Sequence, residues 1–544
     1  MADKSHHRRW RRLCLLCAGG LVILTGCGPK NYKEDADKRV YSIIDRKWDP
    51  EFGTKANYRV NDVPPGPNDI QIENAVPASG VLSLPYALAL ATAHSREYQT
   101  QKDRLYEAAL DLRLVRHGYE TQLFGGASGF YNKNGADEII QTEANFGFNR
   151  LLATGTQVGT RVSTAWADVL AGKGNSGLTS VFSAVITQPL LRGSDPRIVL
   201  EPLTQAERNT LYQIRSFNRF RKTFAVEVAT QYFRALELYD LTQNTQAHYD
   251  ALALLHTHVV KRAAAGLIQG LEADQVQQDM LKARDDLVVA QRRYEQSLDT
   301  FKLMLALPMT SEFRIDGGLL EALKKHGVPS PALTLGEAVE TALCRRLDMA
   351  NSADVVLDAQ RAVYVAADGL RADLRLKAKV GVDTRGNKAL SVGPVLDLPL
   401  NRVPEQHVYR KALIAMDERR RDYDHLADTV RLEVRDAHRK LVATAERYQI
   451  ASDGLETAQT RVKKASVLMQ YGRTSSRRVL DAQQDLFDAR RVATNALVEY
   501  AIATLDFYRD TEALQVRPDG MWEEGPDLPV KPAPTTANIS MGAK

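Results

Sequence analysis

Few side chains in this 544-residue chain stand at spacings that chemistry could use. The nearest approach to a metal pair is His256 and His258, but residues i and i+2 of a helix do not share a face. No nearby Cys or paired carboxylate completes a ligand set, so both are expected to be surface histidines. Gly172-Lys173-Gly174 lacks the spacing and the following Ser or Thr of a phosphate-cradling loop and is expected to be a plain loop. No Ser/His/Asp or Cys/His constellation presents itself, and Cys344, in a capped helical stretch, fits a small core residue. These spacings argue against an enzyme, and no metal or other cofactor is expected.

One cysteine has a chemical fate of its own. His6, His7, Arg8, Arg9, Arg11 and Arg12 precede an apolar run from Leu13 to Leu24, and Leu24-Thr25-Gly26-Cys27 follows. A basic segment, an apolar core of about a dozen residues and a small-residue cleavage site make a secretory signal, with a core too short to span a bilayer. Leu-Thr-Gly-Cys resembles a bacterial lipobox, which implies that Cys27 carries covalent lipid, palmitate included, and becomes the mature N-terminus. Gly28 follows it, not the Asp that would suggest retention at the inner membrane; Arg8-Arg9 suggests twin-arginine export only faintly. Removing residues 1–26 takes five basic residues against Asp3, so most of the formal charge of +5 leaves. The near-neutral remainder has no electrostatic footprint for nucleic acid. Cys14 and Cys17 leave too, and with Cys27 lipidated Cys344 has no disulfide partner. An exported chain of this length then needs a large packed helical or barrel structure.

The elements around these residues follow a duplicated plan. Gly266 and Gly472 lie 206 residues apart, and at that offset Gln277-Gln278-Asp279 matches Gln483-Gln484-Asp485, Ala283-Arg284 matches Ala489-Arg490, and Tyr294 matches Tyr500. Nearer each repeat's start the offset is 251, relating Leu82 to Leu333, Ala87 to Ala338 and Gly118 to Gly369. The first repeat therefore carries about 45 more residues in between, room for an additional hairpin. Beyond the signal, residues 27–81 read as an extended, Pro-containing arm. The first repeat covers 82–308, a connector 309–332, the second repeat 333–514, and a Pro-rich tail, expected to be disordered, covers 515–544.

Each repeat reads helix, strands, very long helix, sharp turn, helix. Ser83 and Thr334 stand as helix caps, the latter in a Thr334-Leu335-Gly336-Glu337 capping box. Strands are expected at about 123–191, where Phe146 and Phe148, then Val158 to Trp166, alternate with polar or small residues across a Leu151–Gly155 turn. A second set is expected at about 376–400, where Ala378, Val380 and Val382 alternate with polar or small residues on one strand and Leu390, Val392, Leu396, Leu398 and Leu400 fill one face of the next. Helices from about Pro202 to Ala265 and from Glu405 to Gln470 would each span roughly 95 Å, too long for a globular core. The helices after the two turns carry coiled-coil seams, Val276 to Leu305 and Val479 to Phe507. Strands with one apolar face, too few to close alone, and Ala-rich seams both require partners, because open strand edges are unfavourable in water and untenable in lipid. The fold class is mostly α with a small antiparallel β part, in an oligomer whose strands close one barrel with a lipid-facing exterior.

Tyr471-Gly472-Arg473-Thr474 followed by Val479-Leu480-Asp481-Ala482, the Leu-Leu-Ala-Thr-Gly turn and Gln188-Pro189-Leu190-Leu191-Arg192-Gly193, set in this duplicated order over roughly 82–514, resemble TolC-type outer-membrane efflux proteins. The resemblance implies a tandem-repeat protomer whose long hairpins form a trimeric α-barrel and whose strands share a transmembrane β-barrel. It implies a homotrimer in outer-membrane lipid, docked to a periplasmic adaptor (membrane fusion protein) and an inner-membrane transporter: a passive duct for efflux or type I secretion. Residue by residue, Ala265-Gly266-Leu267 and Tyr471-Gly472-Arg473 match the family's adaptor-contacting helix tips, though Ala265 and Arg473 depart from the usual Val and uncharged residue. Asp481 matches one acidic residue of the periplasmic aperture, while Arg478 stands at the other acidic position and Glu272 is its counterpart in the first repeat. Pairing of Glu272 with Arg478 or Arg477 across neighbouring tips is expected to help hold the pore shut. The competing reading is a periplasmic coiled-coil lipoprotein acting as an envelope scaffold or adaptor, which explains helices and lipid but not strands inserted at equivalent places in both repeats.

Overall fold

The structure, a computed structural model, describes residues 29–60, 79–134, 137–171, 177–266, 268–329, 331, 333–384, 386–398, 400–517 and 520–524. The signal segment with Cys27, Gly172-Lys173-Gly174 and Leu267 lie outside them.

The region expected to be an extended arm begins with a helix, α1 (Pro29–Lys47). Its prolines stand at the start (Pro29) or beyond the end (Pro50), and the stretch between keeps a helical period that buries Val40, Ile43 and Ile44. Trp48 follows, its indole N–H donating to the Gly53 carbonyl at 2.9 Å and its ring 6.4 Å from Phe217. The count of prolines misled; their positions at helix boundaries permit the helix.

A two-residue strand, β1 (Val81–Leu82), leads into α2 (Leu84–His94) and α3 (Arg96–His117). The one helix expected at the start of the repeat is broken at Ser95, and Ser83 makes no side-chain capping bond. Strands β2 (Gln122–Asn134), β3 (Asp137–Leu151), β4 (Gln157–Ala171) and β5 (Gly177–Pro189) follow, then one helical turn, α4 (Pro196–Val199). The long hairpin is α5 (Glu201–Ala264) with α6 (Gly270–Met304). Proline occurs in α5 only in its first turn, at Pro202, so 64 residues run unbroken, about 95 Å. Seam residues Val276, Ala283, Leu287, Ala290, Leu298 and Phe301 are buried in α6.

In the connector, β6 (Arg314–Ile315) pairs in parallel with β1, and an unanticipated helix, α7 (Gly318–His326), follows. The second repeat opens with α8 (Leu335–Arg345), whose capping box between Thr334 and Glu337 forms as expected. Next come α9 (Leu347–Asp368), β7 (Asp373–Asp383), β8 (Lys388–Asp397), α10 (Val403–Gln470) and α11 (Ser476–Asp510). The break between α8 and α9 falls at Arg346, which is buried and donates to Asp348 at 2.8 Å and Glu433 at 2.5 Å. The tail's first residues are ordered, contrary to expectation: β9 (Leu514–Val516) pairs with β10 (Trp522–Glu524), closed by Gly520 at φ 84°.

The main core lies where α1 to α3, α5, α8 and α11 converge, around Tyr98, Phe217, Phe224, Tyr232 and Phe507. The two repeats are registered by charge as well: Arg208 meets Asp358 at 2.5 Å, Arg215 meets Asp354 at 2.6 Å, and Arg361 meets Glu201 at 3.0 Å, all between α5 and α9. The strands stand at one end of this helical body as a single six-stranded antiparallel sheet, ordered β2-β3-β4-β5-β7-β8. By the sequence offsets, β7 corresponds to β2 and β8 to β5, so the inserted hairpin is β3–β4, and it lies inside the sheet.

Candidate functional site

Two places gather the residues singled out by sequence: the sheet, and the turns at the far ends of the long helices. Ladder register fixes which side chains share a face, because paired residues of antiparallel strands point the same way. Phe146 pairs with Val162, Val162 with Phe182, Phe182 with Val382, and Val380 with Leu390. One face is therefore apolar across the sheet, and its belt covers Leu123–Tyr131 on β2, Ile140–Phe148 on β3, Val158–Trp166 on β4, Leu178–Ile186 on β5, Leu374–Val382 on β7 and Leu390–Leu396 on β8, at alternate positions. None of these belt residues is buried in the protomer, and Leu123 and Leu390 at the two edges are 69% and 73% exposed. On most strands the belt runs nine residues, whose eight rises span about 27 Å along the strand. Charges bound it. Lys133 on β2 pairs with Glu138 on β3 at 2.7 Å at the rim away from the helices, Lys388 stands at that rim on β8, and Arg150 stands at the rim near the helices.

The other face is polar, with Glu143, Arg161, Lys377, Lys379, Asp383 and Asp397 among its residues. There the Phe124 ring crosses Gly147 to meet the Arg161 guanidinium 5.5 Å away. A Cβ at Gly147 would lie 2.7 Å from that ring and 2.1 Å from the Thr160 carbonyl oxygen, so only glycine fits. Sequence reading missed Leu123 and Tyr131 as belt residues because Gly125 and Gly129 dilute the alternation on β2.

The two quoted strand-end motifs meet in space. The Thr156 hydroxyl bonds to the Gln188 side chain, whose amide donates to the Thr154 carbonyl at 3.3 Å. Gly155, at φ 77°, lets its turn press against Pro189 and Gly193, where a Cβ would come within 2.7 Å.

At the opposite end of the molecule both helix tips turn through a left-handed glycine, Gly266 at φ 74° and Gly472 at φ 67°. The Gly266 N–H donates to Ala263 O at 2.9 Å; the Gly472 N–H donates to Met469 O at 3.0 Å and the Arg473 N–H to Leu468 O at 2.9 Å, closing the last turns. Tyr471 is 76% exposed, Arg473 is exposed, and Ala265 is exposed beside Gly266. Glu272 is half-buried in the first turn of α6, while Arg477, Arg478 and Asp481 are exposed on α11. Arg478 and Asp481 share a groove with Arg461 and Lys464 of α10. Among the described residues no ion pair joins Glu272 to Arg477 or Arg478 within one protomer; Arg461 pairs instead with Asp485.

Behind the tips, His248 is buried and stacked on Phe487, ring centroids 4.7 Å apart. Burial pushes its pKa down, against the opposing charges of Asp488 and Asp286. His256 is half-buried and His258 exposed, and among the described residues no group of three or more His, Cys, Asp or Glu could hold a metal. Cys344 is a free thiol, half-buried rather than fully in the core. Among the described residues no helix is long and apolar enough to cross a membrane.

No family model and no curated protein matches the sequence. Solved structures do. The chain superposes on the transmembrane channel CusC with a TM-score of 0.57 at 17% identity, over 79% of this chain and 91% of that one. Its fold is that of a TolC-type outer-membrane channel. VceC, an outer membrane protein from Vibrio cholerae, aligns at 0.56 and 16% identity over 79% and 95% of the two chains. The CmeC outer membrane channel of Campylobacter jejuni aligns at 0.58 and 14% identity over 81% and 86%. At such identities the likeness is one of fold, and in this channel fold the belted sheet and the glycine turns occupy the two ends of the long helices.

Proposed function

We propose that this chain is the outer-membrane component of a tripartite efflux or type I secretion system, a passive homotrimeric duct. The observation that carries the reading is the apolar belt. It crosses all six strands, is bounded by charge at both rims, and ends at two strand edges that the protomer leaves unpaired. A belt of about 27 Å along tilted strands stands roughly 20–25 Å tall, the height of the hydrocarbon band on outer-membrane barrels. Edges that cannot remain open in lipid pair with neighbouring copies, which puts the polar face inside. The long hairpins then extend about 95 Å inward as the periplasmic conduit. Their tips, Ala265-Gly266-Leu267 and Tyr471-Gly472-Arg473, meet the periplasmic adaptor, which joins the duct to an inner-membrane transporter. Glu272, Arg478 and Asp481 border the aperture, and lipid on Cys27 anchors the chain in the outer membrane. A duct moves solute without bond chemistry, so neither an enzyme nor a cofactor is called for.

Membrane fractionation with unheated gel electrophoresis tests this directly. The expected result is a heat-modifiable trimer in the outer-membrane fraction, retained there by its barrel when Cys27→Ser removes the lipid. An elongated species released into the soluble fraction by Cys27→Ser overturns the channel and favours the scaffold.

A further inference from the structure

We infer that the inserted hairpin β3–β4 is part of the barrel wall, so that three protomers build an outlet of eighteen strands, six from each. This rests on the channel reading above and goes beyond it. The duplicated plan by itself, β2 and β5 matched by β7 and β8, would give four strands per protomer and twelve in a trimer. An insertion of about 45 residues could as well have formed a cap or an outside flap.

Three observations make it wall. First, β3 and β4 are laddered continuously into the sheet, β3 against β2 along thirteen residue pairs and β4 against β5 along eleven. A flap would leave β2 paired directly with β5. Second, the inserted strands carry the belt in register with the strands that flank them: Val158–Trp166 on β4 pairs residue for residue with Leu178–Ile186 on β5, and Ile140–Phe148 on β3 with Leu123–Tyr131 on β2. A hairpin projecting into water has no need of an apolar face, whereas one in the wall must have it along the full hydrocarbon depth. Third, strand direction permits closure. β2 leaves the helical body and β8 returns to it, so β2 of one copy lies antiparallel to β8 of the next, as at every other ladder in the sheet. Both edges bear the belt, in Leu123 and Leu390, so the apolar exterior continues across each junction.

The consequence is width. With strands about 4.8 Å apart and tilted about 40°, eighteen strands enclose a barrel about 36 Å across between backbones, against about 24 Å for twelve. Such an outlet is porin-sized and leaves a water-filled lumen lined by residues such as Glu143, Arg161, Lys377 and Lys379.

Electron cryomicroscopy of the full-length trimer in lipid nanodiscs, counting strands at mid-membrane, is the test. Eighteen strands are expected. Cross-linking gives a second reading in the intact membrane: Ser128→Cys on the polar face of β2, combined in turn with Thr179→Cys, Val181→Cys and Ser183→Cys on the same face of β5, is expected to form no link, because β3 and β4 stand between the two strands. A membrane trimer with twelve strands, or one in which Ser128→Cys on β2 links to one of these β5 cysteines, overturns the wider barrel and leaves the channel reading standing. Absence of a membrane-embedded trimer overturns both.

Discussion

Glu512 shows how single side chains hold this elongated protomer together. It sits just past α11 at φ 60°, buried, and accepts from Lys222 at 2.8 Å and Arg219 at 2.6 Å on α5. Arg219 has a second partner in Asp348 at 3.2 Å, but Lys222 is buried with Glu512 as its one carboxylate among the ion pairs of the described residues. Removing the carboxylate strands a buried ammonium, which costs about 3–5 kcal/mol. Glu512→Ala is therefore expected to lower the unfolding free energy of the detergent-solubilised protein by an amount of that order, read from denaturant titration followed by circular dichroism. His248 acts through pH. Its folded pKa lies below the unfolded value of about 6.5 because burial disfavours the imidazolium. Its neutral form thus supports the fold fully above about pH 6.5, and the support is lost as pH falls from there through the folded pKa. Amide protection factors, corrected for the intrinsic exchange rate at each pH, are expected to fall near His248 and Phe487 from pH 7 to 5, and His248→Gln to flatten that dependence.

At the scale of elements, the tips depend on two backbone positions more than on any side chain. Gly472 has open space where a Cβ would go, so only its φ of 67° demands glycine. A β-branched residue in that region is strained by about 1–2 kcal/mol. Gly472→Val is expected to fray the α10–α11 turn, with faster amide exchange over roughly ten flanking residues, while the global midpoint barely moves because the main core lies far along the hairpin. A global loss of several degrees would show that the tip is coupled to the core. In the sheet, Gly147 has the opposite reason for being glycine: a close approach of neighbouring backbone and the Phe124 ring.

For the whole molecule, the departure at Arg478 is the most informative charge. If Glu272 of one tip meets Arg478 of a neighbour in the assembled trimer, Arg478→Glu replaces an attraction with repulsion and loosens the closed aperture. Planar-bilayer recordings are expected to show a larger resting conductance than wild type, with Glu272→Arg in the same chain restoring the low level. An unchanged resting state in Arg478→Glu would remove these charges from the gate. Because both residues are accessible to solvent in the protomer, an exposed pair contributes only ~0–1 kcal/mol, so the effect rests on repetition around the ring.

The duplicated order of elements, the two long uninterrupted helices, the glycine tips and the apolar alternation on β4, β7 and β8 were all legible in the sequence. Each is a local property: period, proline placement and turn chemistry act within a few residues, and a repeat offset is visible without coordinates. Sequence reading misjudged α1 and the β9–β10 hairpin, where a count of prolines outweighed their positions, and it passed over β2, where glycine stands in belt positions. Only the tertiary structure decided that β3–β4 lies within the sheet, that Thr156 and Gln188 join the two strand-end motifs, and that Lys222 depends on Glu512. Those facts join residues tens to hundreds of positions apart. Their partners are selected by three-dimensional register and burial, which no stretch of sequence carries alone.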